Sequence, residues 1–349
     1  MSELTWPALL TALLQGHDLE ATEAAWAMEQ ILSNNATPVQ VAGFVVALRG
    51  KGETVGEVSS LAEVMRGKAT TVDLPHDAVD VVGTGGDRAN TVNISTMAAI
   101  VAAASGRPVV KHGNRAASSM CGTADCLEQL GVVIDLAPQL QPEVFRRAQI
   151  SFLFAPLYHA SLRFAAPARK ELGIQTVFNF LGPLTNPARP IAQAIGVADL
   201  RMAGLIAGVL AGRGNRGMVF HGDDGLDELT TTSPSEIWLI SQGEVHRTSL
   251  DPELLGLHPA EPAELVGGDP QHNAGVVRAL FAGEQGPIHD IVALNAAAAM
   301  LAFDGPQPSV PIEEQLAPRL VEARATIAEG RASSFLDRWI DVTRELAQA

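Results

Sequence analysis

The stretch from Val79 to Thr96, VDVVGTGGDRANTVNIST, constrains this chain more than any other. Val79–Val82 is a β-branched run that reads as a buried strand. It enters a loop holding Gly83, Gly85 and Gly86, which can take positive φ and let a ligand lie against bare backbone. Asn93, Ser95 and Thr96 then precede the apolar run Met97–Ala104, where a helix begins and Gly106 stops it. Pro108–Lys111 reads as the next strand, so the whole fits one βαβ unit. A helix start offers unpaired N–H groups and partial positive charge, both suited to phosphate. The dinucleotide pattern GxGxxG fails because Arg88 stands where its last glycine belongs, and GxxxxGK[ST] has no match. A second loop, Lys111 to Ser119 (KHGNRAASS), follows the second strand. Loops at the carboxyl ends of neighbouring parallel strands face one crevice.

The length of 349 residues allows about two domains. A net charge of −15 argues against a nucleic-acid surface, which would be basic. It also means that a polyphosphate ligand needs a local cation, for which magnesium is the usual remedy. Cys121 and Cys126 are the only cysteines and lack partners for a zinc site, so they read as buried thiols in a reducing compartment. The start MSELTWPALLTALLQ has no basic leader, and no apolar run approaches the ~20 residues of a membrane helix. These features predict a cytoplasmic protein with no membrane partner.

Residues 1–72 read as helices only, over Trp6–Leu14, Leu19–Ser33, Val39–Arg49 and Glu53–Arg66, with Thr37 and Pro38 opening the third. Thr71–His76 is a linker. Beyond it the expected elements are a helix over Ala124–Leu130 capped by Thr123, a third strand over Val132–Leu136, a helix over Pro142–Gln149 and a strand over Ile150–Phe154. His159 and Arg163 lie on one face if their segment is helical, and Arg169 and Lys170 start a helix reaching Leu172. Gly182–Ala188 (GPLTNPA) forces an irregular crossing segment. Strands follow over Gln193–Val197 and Arg216–His221, then a hairpin, Ile237–Ile240 with Glu244–Thr248. Helices over Met202–Leu210, Asn273–Ala282, Ile291–Phe303, Ile312–Glu329 and Ala332–Leu346 complete the chain. The fold class is α/β, a large domain with a mostly parallel central sheet flanked by helices, plus a small all-helical N-terminal domain.

The loop HGDDGLDE follows an apolar strand and so reaches the same carboxyl edge as the glycine loops. Magnesium keeps waters and takes one or two carboxylates plus substrate phosphates, which suits Asp227 and Glu228, with the Ser95 hydroxyl as a further ligand. Lys111, at a strand end, reads as a phosphate contact. Asn114 suits a sugar hydroxyl or a second substrate, and the small residues Ala116, Ala117, Ser118 and Ser119 let backbone close on an anion. Arg169 can read a carboxylate bidentately. His159 is a candidate base.

These segments, VGTGGD (82–87), NIST (93–96), KHGNRAASS (111–119), ELGIQTVFNFLGPLTNPA (171–188) and HGDDGLDELTTT (221–232), resemble the anthranilate phosphoribosyltransferase family over roughly residues 10 to 345. The resemblance implies transfer of phosphoribosyl from phosphoribosyl diphosphate to the anthranilate amine, on a homodimer joined through helical domains. It implies a helical domain of 1–72 with a returning segment near 170–190, and an α/β domain of 76–349. By that resemblance Gly83, Gly86, Asp87, Thr91, Asn93, Ile94, Ser95 and Thr96 bind phosphoribosyl diphosphate. So do Lys111, His112, Gly113, Asn114, Arg115, Ala116, Ala117, Ser118, Ser119 and Thr123. Gly83, Asn114, His159 and Arg169 match anthranilate contacts; Lys111, Asn114, His159 and Arg169 are the catalytic candidates. Ser95, Asp227 and Glu228 match the ligands of magnesium, expected as two ions. The segment HASLRF (159–164) departs from the family, with Ala160 and Phe164 in place of a proline and a histidine. A pyrimidine-nucleoside phosphorylase would not need the Asp227–Glu228 pair, and a non-catalytic nucleic-acid-binding relative should be basic; both are disfavoured.

Overall fold

The computed structural model describes residues 4–116 and 119–349. The chain opens with four helices, α1 (Trp6–Leu14), α2 (Ala21–Leu32), α3 (Pro38–Lys51) and α4 (Val55–Gly67). Their starts are written in the sequence. Thr37 and Thr54 each accept the N–H three residues on, while Gln40 and Glu57 reach back to the cap backbone. Helix α1 packs on α3 and α2 on α4, burying Leu13, Met28, Ile31, Phe44, Leu48 and Leu61.

The α/β part then runs β1 (Val79–Gly83), α5 (Ile94–Ala104), β2 (Val109–Gly113), α6 (Thr123–Leu130), α7 (Gln141–Ala148), β3 (Ile150–Phe154), α8 (Ala155–Tyr158), α9 (Ala166–Leu172), α10 (Phe178–Leu181) and β4 (Ala192–Gly196). It continues with α11 (Leu200–Gly212), β5 (Arg216–Gly222), β6 (Ser235–Ser241), β7 (Glu244–Leu250), α12 (Pro270–Phe281), α13 (Pro287–Asp304), α14 (Ile312–Ala328) and α15 (Arg331–Gln348). The strand order is β3-β2-β1-β4-β5-β6-β7. Strands β1 to β5 are parallel, and the β6–β7 hairpin, turning through Gln242 and Gly243 at positive φ, closes one side antiparallel. The order reverses between β1 and β4, with Gly83 paired to Gly196. A crevice opens beyond the carboxyl ends of strands at such a reversal.

Small residues set the spacing of the core. Helix α5 is buried along almost its whole length and lies on α13, whose Ala296–Ala299 run is fully buried. Alanine faces let two helix axes approach closely, which a low aromatic content of 5% permits.

Four expectations need correction. Val132–Leu136 is not a strand: Val132, Ile134 and Leu136 are buried in alternation, but β3 takes the place beside β2, and the Val133 N–H goes to the Thr343 hydroxyl on α15. Thr123 does not cap α6; Gly122 is the cap residue, and Asp125 accepts its N–H. His159 and Arg163 do not share an α-helical face, because α8 ends at Tyr158 with His159 as its cap and a 3₁₀ turn covers Ala160–Phe164. The helix expected at Lys170–Leu172 begins earlier, at Ala166, with Arg169 in its interior, and it packs against α3.

The crossing segment is pinned by a buried pair. Asn186 Nδ2 donates to Asp80 Oδ2 and to the Val110 carbonyl, both at 2.8 Å, while the His112 N–H donates to Asp80 Oδ1 at 3.2 Å. Burial raises the Asp80 carboxyl to about 6. Asn186→Leu removes both donations, leaves Asp80 Oδ2 and the Val110 carbonyl unsatisfied in the core, and lowers unfolding stability by about 2–4 kcal/mol. A urea midpoint equal to that of the parent chain would contradict this.

Candidate active site

The glycine loop after β1 behaves as two parts. Gly85 and Gly86 take positive φ (68° and 86°), as expected, but Gly83 does not. Gly83 matters for space: a β-carbon there would strike the Asp227 carboxylate, and one on the paired Gly196 would strike the Asp227 carbonyl. Arg88 and Asn90 also sit at positive φ, and Thr91 bridges to Val266. The Gly85 N–H donates to Asp227 Oδ2 at 2.6 Å, and Gln175 Nε2 donates to the Gly86 carbonyl at 3.2 Å.

Helix α5 begins with Asn93 as cap, and the Ser95 N–H donates to Glu228 Oε1 at 3.1 Å. Lys111 is 1% exposed and donates to the Val81 carbonyl and, at 3.2 Å, to Ser95 Oγ. The four groups Gly85, Ser95, Lys111 and Asp227–Glu228 therefore converge at the strand reversal. Burial lowers the Lys111 ammonium to about 8. Burial, with Asp87 adding, raises Glu228 to about 8 against the pull of Lys111. Asp227 is raised by burial, then by Asp87 and Glu228.

Among the described residues no group of three preformed metal-ligating side chains occurs. The pair Asp227 and Glu228 nevertheless suits a hydrated magnesium ion, which needs only one or two carboxylates. Both carboxylates are deprived of solvent and crowded by Asp87, so a divalent cation would relieve them.

The remaining sequence candidates divide. Thr96 and Thr123 meet through their hydroxyls at 3.4 Å beside Ile94 at the helix start. Asn93 turns its side chain into a bracing network: it donates to the Cys121 carbonyl and accepts from Asn273 Nδ2. Asn114 follows Gly113 at the mouth of β2 and is exposed, its Oδ1 taking the Arg115 N–H. Arg115 is drawn off by Asp125 and Glu128 and stacks over Phe154. The Ala116 N–H is also used by Asp125, so it is not the free anion donor expected. Ser119 is exposed, and Ala117 and Ser118 lie outside the described residues. Arg169 is half-buried over the Phe178 ring and pairs with no carboxylate among the described residues. His112 and His159 are both enclosed, rings 5.1 Å apart, held by the Gly182 and Thr185 carbonyls.

Several contributors escaped the sequence reading. Asn295, alone among alanines in α13, clasps Leu229 from both sides and so fixes the acidic loop. Asp224 braces the same loop through Thr230 and the Leu226 N–H. A polar residue inside an otherwise apolar buried helix was the available signal. Gly267–Gly268–Asp269 repeats the GGD of residues 85–87 and backs the first loop through the Gly267 N–H to the Asn90 carbonyl.

Residues 75–333 match the model of the glycosyl transferase family a/b domain, and residues 7–69 that of its helical bundle domain. An anthranilate phosphoribosyltransferase of Acidothermus cellulolyticus is 56% identical over 340 residues, covering 97% of this chain and 96% of that one. The chain belongs to the anthranilate phosphoribosyltransferase family. Its fold agrees with the crystal structure of an anthranilate phosphoribosyltransferase from Thermus thermophilus (TM-score 0.87, 40% identity, 96% of this chain and 99% of that). It agrees equally with the Saccharomyces cerevisiae enzyme in complex with phosphoribosyl diphosphate and magnesium (TM-score 0.87, 28% identity, 99% of each chain).

In this family member the two enclosed histidines carry a pH signature. Burial, then the His159 charge, lowers His112 to about 3, and burial lowers His159 to about 4. Both are neutral in the folded chain at pH 5 and protonated in the unfolded chain, so their stabilising effect is complete above about pH 6.5 and is lost as the pH falls toward 4. His159→Gln should reduce the stability lost between pH 7 and pH 5 by ~2 kcal/mol relative to the parent chain. Parallel acid slopes in urea titrations of the two proteins would contradict it.

Proposed function

We propose that the chain transfers the phosphoribosyl group of phosphoribosyl diphosphate to the amine of anthranilate, giving N-(5-phosphoribosyl)anthranilate and diphosphate, the second step of tryptophan synthesis from chorismate. The observation that carries the reading is the convergence of the Gly85 and Ser95 N–H groups, Lys111 and the Asp227–Glu228 pair at the strand reversal. As the C1–O bond breaks, positive charge develops on the ribose and negative charge on the leaving diphosphate. Magnesium, taken as two ions held by Ser95, Asp227 and Glu228, would neutralise that leaving group when bound.

The protein's own part is electrostatic and positional. Asp227 and Glu228 accept from the Gly85 and Ser95 N–H groups, donors that suit phosphate oxygens. Asp227 and Glu228 would hold the metal, and the Gly85 and Ser95 N–H groups would then be available to phosphate oxygens. Gly83, Gly86, Asp87, Thr91 and the start of α5 line the diphosphate, with Lys111 to Ser119 on its other side. The Arg169 guanidinium binds the anthranilate carboxylate, with Gly83 and Asn114 beside it. The amine of anthranilate is nucleophilic when neutral, so no strong base is needed; His159 acts as a positioning residue from behind the Thr185 carbonyl.

The domains are 1–72 with the returning 170–190 segment, and 76–349. Contacts of α9 with α3 and of α10 with α4 support that division. We assign a homodimer through the helical domain, supported by the exposed Leu14 and Val39 on α1 and α3. Among the described residues no helix is long and apolar enough to cross a membrane, and the proposed location is the cytoplasm.

Two variants test the assignment, read by loss of anthranilate fluorescence with phosphoribosyl diphosphate and magnesium. Asp227→Asn with Glu228→Gln lowers turnover by at least ~100-fold while anthranilate binding survives; an undiminished rate removes the metal role. Arg169→Ala raises the anthranilate KM by about 10- to 100-fold with a smaller change in kcat. A change confined to the phosphoribosyl diphosphate KM would reassign that arginine.

A further inference from the structure

At the amino-terminal edge of β4 and β5, opposite the candidate active site, lies a cavity of about 280 Å³. Its walls come from three places: α4, the crossing segment after Leu184, and the end of α11. Three guanidiniums line it, Arg66, Arg189 and Arg213, against one carboxylate, Glu63. The single oxygen Glu63 Oε1 serves two of them, at 2.6 Å from Arg66 Nη1 and 2.7 Å from Arg213 Nη2. Arg213 spends Nη1 on the Leu184 carbonyl, at 2.8 Å. Its Nε, shut off from solvent, makes no hydrogen bond. Arg189 pairs with no carboxylate among the described residues. The cavity thus carries two positive charges beyond what Glu63 offsets. Burial and then Arg66 pull the Arg213 guanidinium down to about 10, against Glu63, with Arg189 pulling the same way. One more polar group points to the missing partner. Gln193 is 5% exposed and lines the cavity, and its Oε1 has no donor.

Buried guanidinium N–H groups without acceptors are costly, and a planar fork of donors fits an oxyanion. An oxyanion that also bears a proton would satisfy Gln193. We propose that this cavity is a binding site for a hydrogen-phosphate-type oxyanion, either inorganic phosphate or diphosphate, held by Arg66, Arg189 and Arg213. The site does not depend on the proposed reaction. Because Arg66 belongs to the helical bundle and Arg213, at the end of α11, to the α/β part, a bound anion ties the two together.

The experiment is thermal melting of the full chain, without magnesium, in potassium phosphate, potassium diphosphate or potassium chloride at equal ionic strength. The parent chain should melt about 2 °C higher in millimolar phosphate or diphosphate than in chloride. Arg189→Ala, at an exposed position, and Arg66→Ala should each lose most of that excess. Loss of only the phosphate effect identifies phosphate as the ligand, and loss of the diphosphate effect identifies diphosphate. Hydrogen exchange should slow in residues 60–68 and 184–192 when the anion is added. Equal shifts in parent and variants, no excess over chloride, or protection confined to residues 83–96 and 223–228 would each overturn the proposal.

Discussion

Three ionisable side chains, Lys111, Asp227 and Glu228, are held out of water at the point where the sheet reverses its order. Such a group is expensive to bury, and the fold meets the cost with backbone donors at 2.6 and 3.1 Å and with the lysine itself. Much of the surrounding architecture serves this arrangement. Asn295 fixes the acidic loop from α13, the Ala-rich contact of α13 with α5 fixes the helix start, and the strand pair β1–β4 fixes the glycines. The acidic pair in turn holds the glycine loop and the start of α5 together through the Gly85 and Ser95 N–H groups.

What could be read from residues alone depended on how local the cause was. Capping at Thr37, the Gln242–Gly243 hairpin and the glycine loop are decided within a few positions, and they were legible. The alternation of Val132, Ile134 and Leu136 was also real, since those side chains are buried. Its misreading as a strand came from pairing, which depends on whether a neighbour is free. Here β3 already occupies the edge beside β2. Thr123 failed as a cap because Asp125, two residues on, takes the Gly122 N–H.

Within the site the same division holds. Lys111, Ser95, Asp227 and Glu228 stand out as chemistry-bearing residues at element ends, and they do meet. The bracing partners are remote in sequence: Asn273 from Asn93 by 180 residues, Asn186 from Asp80 by 106. No spacing rule reaches that far. The resemblance puts Arg115 and Ala116 in the second loop, and there α6 presents Asp125 to both.

The facing glycines at 83 and 196 leave a notch whose floor is the Asp227 main chain and whose wall is its carboxylate. That notch has no room for even a methyl group, the smallest lesion a side chain can add. Drift at either position would therefore be felt two loops away, in the acidic pair, and not in the strands that carry the change. The sheet could tolerate alanine at both places as ordinary strand residues; the reason it has none is the neighbour pressed against it.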